Sequence, residues 1–452
     1  MLADKLLIKS KILPVPFKGT AFELFSRLEP NCENCFFFES LGPNKDQLSR
    51  YTILGVNPDA VVVSKNGRLI IGKKKYPRGN PYEQLRKLMP QNVLGNEFSG
   101  GLVGYLSYDA VNLFEPQLKL TAHPRFETFR FGLYTDGIIF DHLTGETKYF
   151  YLLKNRLPNI LRLVRKAKAV KAPEVVLKGS SLTKPRHSRQ VNRVLKEIRA
   201  GNVFQCEVGL KNHYSIAGSL LPIYEKLREI NPSPYLYYLK FGNQRLLGSS
   251  PELLLNVNRG QMETFPLAGT IHRGKTQKQD QQLAKRLLGD KKEQAEHKML
   301  VDLHRNDLGR VAKFGSVIIK KFMDIKKFSH VQHISSQIQG TLKPGEDMFT
   351  ALKSCFPAGT LTGAPKIEAM KIINNNESSG RGPYGGAVGF FGFNGDCEFT
   401  IPIRSLFASS QKAYTQACGG IVYDSKPAKE YQEIGNKLKA LDVVLKQFSK
   451  KS

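Results

Sequence analysis

Short apolar segments and helical repeats alternate along this chain without a regular strand–helix–strand period. Residues 60–63, 133–140 and 246–256 have the apolar or alternating character of short strands between Gly, Pro and Asn signals. Val191, Val194 and Ile198 recur at helical spacing. This order predicts an α+β fold, in which antiparallel or mixed β-sheets pack as a layered core with helices on the outside.

The chain is long enough for more than one domain. Its 452 residues allow two or three units of ordinary size. Residues 171–186 are polar and basic and lack sustained periodicity, which is typical of a linker. The sequence therefore predicts an N-terminal region over 1–170 and a larger region over 187–452.

The charge balance restricts the partners that this chain can have. Sixty-eight basic and 39 acidic residues give a net charge of +29, which attracts phosphates, anionic membranes or small anions. The basic residues are scattered and no aromatic-interleaved module accompanies them, so we expect solvated surfaces and no nucleic-acid binding. No apolar run or N-terminal signal predicts a membrane segment or secretion. Six cysteines without a shared spacing favour a reducing cytoplasm.

Residues 269–276 match the phosphate-loop pattern GxxxxGK(S/T). Such a loop begins directly after a central strand, but Pro266 makes the preceding segment a poor one. The polar residues 277–280 are also untypical of the buried helix that should follow. Nucleotide binding is thus the weaker alternative for this segment.

Two pairs of glutamates have the spacing of helical neighbours. Glu293 and Glu296 stand three residues apart, as do Glu430 and Glu433 near the C-terminus. On a helix, each pair presents both carboxylates on one face. Two such helices can hold one Mg²⁺, which accepts a few carboxylates and keeps its water ligands. The alternative, left open by spacing alone, is that these glutamates lie on solvated helix faces.

Glycine-rich stretches provide candidate binding sites for an anion. Residues 357–366, 385–389 and 419–421 can expose backbone N–H groups to a carboxylate, and Arg404 can hold one bidentately. Tight turns explain the glycines equally well. His333 is a candidate acid or base, although a lone histidine is more often structural.

Several separate motifs, taken together, resemble those of chorismate-utilising enzymes over about residues 187–447. In chain order, these motifs are residues 201–205, 249–252, 266–270, 296–310, 357–366 and 420–433. Within this superfamily the chain resembles the anthranilate synthase large subunits. Gln205 stands where water-adding members have Lys, and Ala268 stands where aminodeoxychorismate synthases, the alternative assignment, have Lys.

The resemblance implies a set of catalytic roles. Glu252 would be the general acid that protonates the departing hydroxyl, His333 would act in the loss of pyruvate, and Gln205 indicates ammonia as the nucleophile. Contacts with chorismate are implied for Ala268, Gly269, Thr270, Thr360, Tyr384, Arg404, Gly419, Gly420 and Lys437.

The resemblance also implies a cofactor and a partner. Mg²⁺ would have Glu296 and Glu433 as its principal ligands, while Glu293 and Glu430 would bond to its water molecules. No cysteine lies in the G-x-C-x-G-x-Q context of a glutaminase nucleophile. A separate glutamine amidotransferase subunit is therefore expected to supply ammonia for the conversion of chorismate to anthranilate and pyruvate.

The N-terminal region resembles the regulatory part of these enzymes. The implied tryptophan feedback pocket consists of Glu39, Ser40, Arg50, Asn231, Pro234 and Tyr235. On this basis residues 1–170 are expected to regulate the catalytic region, with tryptophan as inhibitor.

Overall fold

The structure, a computed structural model, describes residues 7–41, 50–95, 97–166, 168–328 and 331–449. Its helices are α1 (Ala21–Leu28), α2 (Pro81–Leu88), α3 (Leu157–Arg165), α4 (Lys184–Arg199), α5 (Leu221–Ile230), α6 (Gln277–Gly289), α7 (Lys291–Gly309), α8 (Met348–Cys355), α9 (Lys366–Asn376) and α10 (Pro427–Gln447). None of the described helices combines the length and the apolar character that a membrane crossing requires.

The first strands are β1 (Ile8–Lys9), β2 (Lys11–Pro14), β3 (Asn34–Glu39), β4 (Tyr51–Val56), β5 (Ala60–Lys65), β6 (Arg68–Ile71), β7 (Lys74–Lys75), β8 (Val93–Leu94), β9 (Gly101–Leu106), β10 (Phe129–Tyr134), β11 (Asp136–Asp141), β12 (Thr147–Tyr151) and β13 (Glu174–Ser180). They are followed by β14 (Gln205–Ala217), β15 (Tyr235–Phe241), β16 (Gln244–Ser250), β17 (Leu253–Asn258), β18 (Gln261–Thr264), β19 (Leu267–His272), β20 (Ile318–Lys327), β21 (Val331–Thr341), β22 (Gly363–Ala364), β23 (Ala387–Gly392), β24 (Cys397–Thr400), β25 (Ser405–Ser409) and β26 (Lys412–Ile421).

Two large antiparallel sheets form the body of the protein. Sheet I has the order β13-β14-β26-β25-β16-β15-β3-β4-β11-β12-β2, with β22 beside β14. Sheet II has the order β19-β21-β18-β17-β24-β23-β9-β10-β5-β6-β7, with β20 beside β21. The short strands β1 and β8 pair in parallel. The predicted α+β class, with antiparallel or mixed sheets and helices outside, is confirmed.

The main hydrophobic core lies between the two sheets. Phe36 and Tyr237 from sheet I and Tyr105 and Phe391 from sheet II are at most 1% exposed and belong to one cluster. A second cluster covers the other face of sheet I, where helices α1, α3 and α5 pack. The strands of sheet I therefore bury side chains on both faces, one face against sheet II and the other against helices.

Two segments predicted as single strands each cross from one sheet to the other. Residues 133–140 divide at Thr135 between β10 and β11, and residues 246–256 divide at Pro251 and Glu252 between β16 and β17. Apolar character alone cannot distinguish two buried strands in different sheets from one continuous strand. The second crossing holds Glu252, the predicted general acid, at the junction of the two sheets.

The predicted linker contains regular secondary structure. Residues 171–186 contain β13, which pairs with β14 at the edge of sheet I, and the first residues of α4. Polar composition suits an exposed edge strand as well as a linker. Both sheets contain strands from 1–170 and from 187–452, so the core is continuous across the predicted boundary. The assignment of regulation to the N-terminal region stays a prediction.

Two helices that carry the glutamate pairs begin at identifiable residues. Asp290 caps α7, because its carboxylate accepts the Lys292 and Glu293 backbone N–H groups at 2.9 and 3.2 Å. Pro427 occupies the first turn of α10, after Lys426 at the N-cap. The Ser425 hydroxyl accepts the Val422 N–H at 3.1 Å.

Candidate active site

The two glutamate pairs belong to one site. Helix α7 packs on β19 and β21, and α10 packs on β26. Burial, together with the carboxylates of Glu293 and Glu433, raises the pKa of Glu296 to about 7. Burial also raises the pKa of Glu293 and of Glu430, and Glu433 contributes to both shifts. Since such repulsion requires proximity, the tertiary structure brings together two helices that are more than a hundred residues apart in the chain.

This cluster fits a hard divalent cation by its donor chemistry. Carboxylate oxygens are the ligands that Mg²⁺ prefers, and a cation would offset the mutual repulsion that raises these pKa values. Within the described ranges, no three His, Cys, Asp or Glu side chains already close around one point. Glu433 instead pairs with Lys437, whose Nζ lies 2.7 Å from its Oε1.

Gln205 lies beside these carboxylates at the start of β14. Its Nε2 is 3.4 Å from Glu296 Oε1 and 3.5 Å from the Oε1 of Glu207, a residue that sequence reasoning missed. Glu207 is two residues further along the strand, so both side chains lie on the same face of the sheet. The sequence could have indicated Glu207 through this spacing. On a strand, a carboxylate two residues from a predicted catalytic residue is expected to enter the same site.

Glu252 is well prepared to act as an acid. It is 4% exposed, and its Oε1 accepts a hydrogen bond from Thr360 Oγ1 at 2.8 Å. Burial raises the pKa of Glu252 to about 7, although the Thr360 hydrogen bond and Lys437 oppose the shift. A substantial fraction of this carboxyl group therefore keeps its proton near neutral pH.

His333 faces the strand that carries Gly269. Its Nδ1 is 2.8 Å from the Gly269 carbonyl oxygen and 3.1 Å from Thr270 Oγ1. A carbonyl only accepts, so Nδ1 carries the proton and Nε2 keeps a lone pair. Burial lowers the pKa of His333 to about 4, which keeps the ring neutral. Gly269 also borders the carboxylate cluster, since a Cβ there would lie 2.9 Å from Glu293 Oε2.

The predicted substrate contacts surround Lys437. Its Nζ donates to the Cys418 carbonyl at 2.9 Å, and the Arg404 guanidinium donates to its backbone carbonyl. Arg404 has a φ of 53°, a left-handed conformation that costs about 1 kcal/mol for a residue with a Cβ. Tyr384 is buried and interacts electrostatically with Arg404.

The remaining predicted contacts lie on one strand of each sheet. Gly419 and Gly420 are in β26, and a Cβ on Gly420 would approach Gln205 Nε2 to 2.5 Å. Ala268, on β19, is buried and pairs with Ile334. The structure thus places the predicted catalytic, substrate-binding and metal-binding residues in one region, while their roles stay predictions.

The phosphate-loop alternative is wrong. Gly269 to His272 belong to β19, so only a short turn separates this strand from α6. The Gly274 N–H, which a phosphate would need, donates to Asp280 Oδ1 at 2.9 Å. The segment therefore lacks the cradle of free N–H groups that defines such a loop.

A cavity of about 1070 Å³ lies between the sheets, away from the carboxylate cluster, and its lining includes Glu39, Ser40, Arg50, Pro234 and Tyr235. These are five of the six residues predicted for the feedback pocket, and the sixth, Asn231, does not line this cavity. Two of the charged groups are paired within the protein. Arg228 holds the Glu39 carboxylate at 2.8 and 2.5 Å, and Arg50 holds the Asp141 carboxylate at 2.7 Å.

Comparisons with known proteins agree with this geometry. A buried acid at the junction of two antiparallel sheets, beside a cluster of carboxylates, is typical of an enzyme active site. Residues 13–442 match the chorismate binding enzyme family. The chain belongs to this family. The resemblance inferred from the sequence motifs is thereby confirmed.

Similar proteins share most of their length with this chain. Anthranilate synthase component 1 of Leptospira biflexa is 49% identical over 432 residues, which cover 93% of both chains. The crystal structure of anthranilate synthase component I from Streptococcus pneumoniae has a TM-score of 0.78 and 32% identity, covering 87% of this chain and 92% of that one. The Escherichia coli isochorismate synthase MenF shares the fold, with a TM-score of 0.75 at 18% identity over 98% of this chain and 97% of that one.

Proposed function

We propose that this chain is the large subunit of an anthranilate synthase, which converts chorismate and ammonia to anthranilate and pyruvate. The observation that carries the proposal is the position of Gln205, a residue that cannot act as a base, beside the carboxylate cluster near Glu252. Ala268 stands at the position of the lysine that aminodeoxychorismate synthases use for a covalent adduct, which argues against that activity. The relatives named above support the same activity.

The protein's own groups account for the proton movements of this reaction. Ammonia adds to the ring while Glu252 gives its proton to the departing hydroxyl, which leaves as water, and the added nitrogen releases one proton to solvent. In the second step the neutral His333 can take the ring proton at Nε2 while the bond from the ring to the enolpyruvyl oxygen breaks. The ring becomes aromatic, and the released enolpyruvate takes a proton at its methylene carbon to become pyruvate. Arg404 and Lys437 supply positive charge for the two carboxylates of chorismate.

We propose Mg²⁺ as the cofactor. Glu296 and Glu433 would hold it directly, and Glu293 and Glu430 would accept hydrogen bonds from its water molecules. When bound, the ion would neutralise the substrate carboxylate and withdraw electrons from the ring. Glu293, Glu296 and Glu430 support this assignment through their raised pKa values, and the carboxylate of Glu433 contributes to each of these shifts.

Ammonia is proposed to come from a separate glutamine amidotransferase subunit. All six cysteines are buried free thiols, and burial raises the pKa of each, so none has the reactive thiolate that a glutaminase needs. Free thiols also accord with the reducing cytoplasm that we propose as the location.

The purified chain is expected to form anthranilate from chorismate, ammonium chloride and Mg²⁺, and to form none when glutamine replaces ammonium. Product fluorescence and chromatography measure anthranilate, and a coupled assay measures pyruvate. Addition of a glutaminase subunit should restore the glutamine reaction. Aminodeoxychorismate without pyruvate would contradict the proposal, and glutamine turnover by the chain alone would contradict the two-subunit arrangement.

We further propose that the cavity between the sheets binds tryptophan as a feedback inhibitor. Its volume suffices for a small ligand. The lining combines aromatic surfaces such as Phe38 and Tyr235 with polar groups such as Ser40. An aromatic amino acid needs both kinds of contact.

Replacement of Ser40 by leucine is expected to weaken inhibition by tryptophan at least about tenfold, because the larger side chain fills part of the cavity and removes a hydroxyl. Ser40 is only 9% exposed and lines the cavity. The inhibitor concentration that halves anthranilate formation measures the effect, with the rate in the absence of tryptophan as control. An unchanged inhibition curve would remove this cavity from consideration.

A further inference from the structure

Glu207 is a buried carboxylate without an assigned role. It is 6% exposed and directly follows Cys206 on β14, opposite Gly420 of β26. A Cβ on Gly420 would lie 2.7 Å from Glu207 Oε1, so the glycine leaves room for this side chain. A glutamate in such a position loses its hydration and is unfavourable unless something compensates its charge.

The surroundings compensate that charge only in part. The charged groups that influence Glu207 are Lys437 and Glu433 from α10, Glu296 from α7, and Arg381. Lys437 attracts Glu207 but forms its ion pair with Glu433, and Arg381 donates to the Glu207 backbone carbonyl rather than to the carboxylate. Burial raises the pKa of Glu207 to about 8 despite the attraction of Lys437. A further cation would therefore be stabilised beside it.

A second acceptor adjoins this carboxylate. Among the described residues, the buried amide oxygen of Gln205 has no hydrogen-bond partner. The amide nitrogen of the same side chain is 3.5 Å from Glu207 Oε1, so the two acceptors belong to neighbouring groups on one face of β14. An unpaired buried acceptor costs free energy, which a ligand with N–H donors would recover.

We propose that Glu207 and Gln205 form the binding site for the nitrogen nucleophile, holding ammonium or ammonia by its N–H groups. This inference rests on the function proposed above, since it assigns the place from which nitrogen enters that reaction. Ammonium carries positive charge and several donors, which match a carboxylate and a free amide oxygen. The Gln205 amide stands between Glu207 and Glu296, and so separates the nitrogen site from the carboxylates assigned to Mg²⁺.

The test uses Glu207→Gln, which removes the charge and keeps the shape. The ammonium concentration for half-maximal anthranilate formation should rise about 10- to 100-fold, the effect of losing one charged hydrogen bond. The KM for chorismate and the Mg²⁺ requirement should stay within about twofold of the parent values. Glu197→Gln, a change on the outer helix α4, serves as the matched control.

The outcomes separate this inference from the proposed function. A parent chain that makes no anthranilate from ammonium overturns the function itself. An active parent whose ammonium KM is unaltered in Glu207→Gln overturns the nitrogen site alone, as does an equal rise in the chorismate KM. A higher Mg²⁺ requirement would instead place Glu207 among the metal-binding groups and overturn the inference as well.

A second measurement does not depend on activity. Crystals of the full chain soaked in a thallium(I) salt, whose ion resembles ammonium in size and charge, should show an anomalous peak between Glu207 and Gln205. Glu207→Asp, which keeps the charge, should retain the peak if Glu207→Gln does not fold. A soaked parent crystal without a peak at this position would contradict the assignment.

Discussion

Replacement of Glu252 by glutamine is expected to lower kcat for anthranilate formation by about 10²- to 10⁴-fold, the usual contribution of a general acid. Glutamine has the same shape and can still accept the Thr360 hydrogen bond, which is 2.8 Å long in the parent structure. It has no proton to give to the departing hydroxyl. A variant with at least a tenth of the parent kcat would exclude Glu252 as the acid.

The pH profile provides an independent check of the same residue. A general acid works in its protonated form, which is present below its pKa, and the pKa of Glu252 is raised to about 7 by burial. With saturating ammonium, the parent kcat should therefore fall as the pH rises through about 7. The Thr360 hydrogen bond holds this pKa down, so Thr360→Val should move the fall to higher pH. An unmoved profile would indicate that another group controls the rate.

Replacement of Glu433 by glutamine is expected to lower activity by at least about 10³-fold, because several kcal/mol of charge stabilisation by a bound metal ion would be lost. The side chain is 50% exposed, so the change removes no core packing. Loss of the pair with Lys437 should cost no more than about 1 kcal/mol in the free energy of unfolding. Thermal unfolding should therefore be nearly unchanged.

Calorimetric titration with Mg²⁺ separates metal binding from other effects of Glu433→Gln. The variant should bind Mg²⁺ more weakly than the parent, in the absence of any substrate. Glu368→Gln, which removes a comparable partner of Lys371 at 3.0 Å, is the matched control and should bind the ion normally. Normal Mg²⁺ binding and turnover by Glu433→Gln would reject this residue as a ligand.

Local patterns predicted the individual elements well. The helical repeat before Gly201 corresponds to α4, and the paired glutamates lie on α7 and α10 as expected. These assignments depend on neighbours within a few residues, which a sequence displays directly. The break at Pro251 was missed because the strands on both sides of it are equally apolar, although they belong to different sheets.

The sequence by itself determined which chemical groups are present and on which face of a helix or strand each lies. Only the tertiary structure decided that the glutamates of α7 and α10 enter one site, that Glu252 lies at the junction of the two sheets, and that residues 171–186 contribute an edge strand. The pairing of β14 with β26, which sets Glu207 opposite Gly420, also depends on the tertiary structure. Side-chain periodicity is a local property of the backbone, whereas strand order and helix contacts depend on how the whole chain buries its apolar surface.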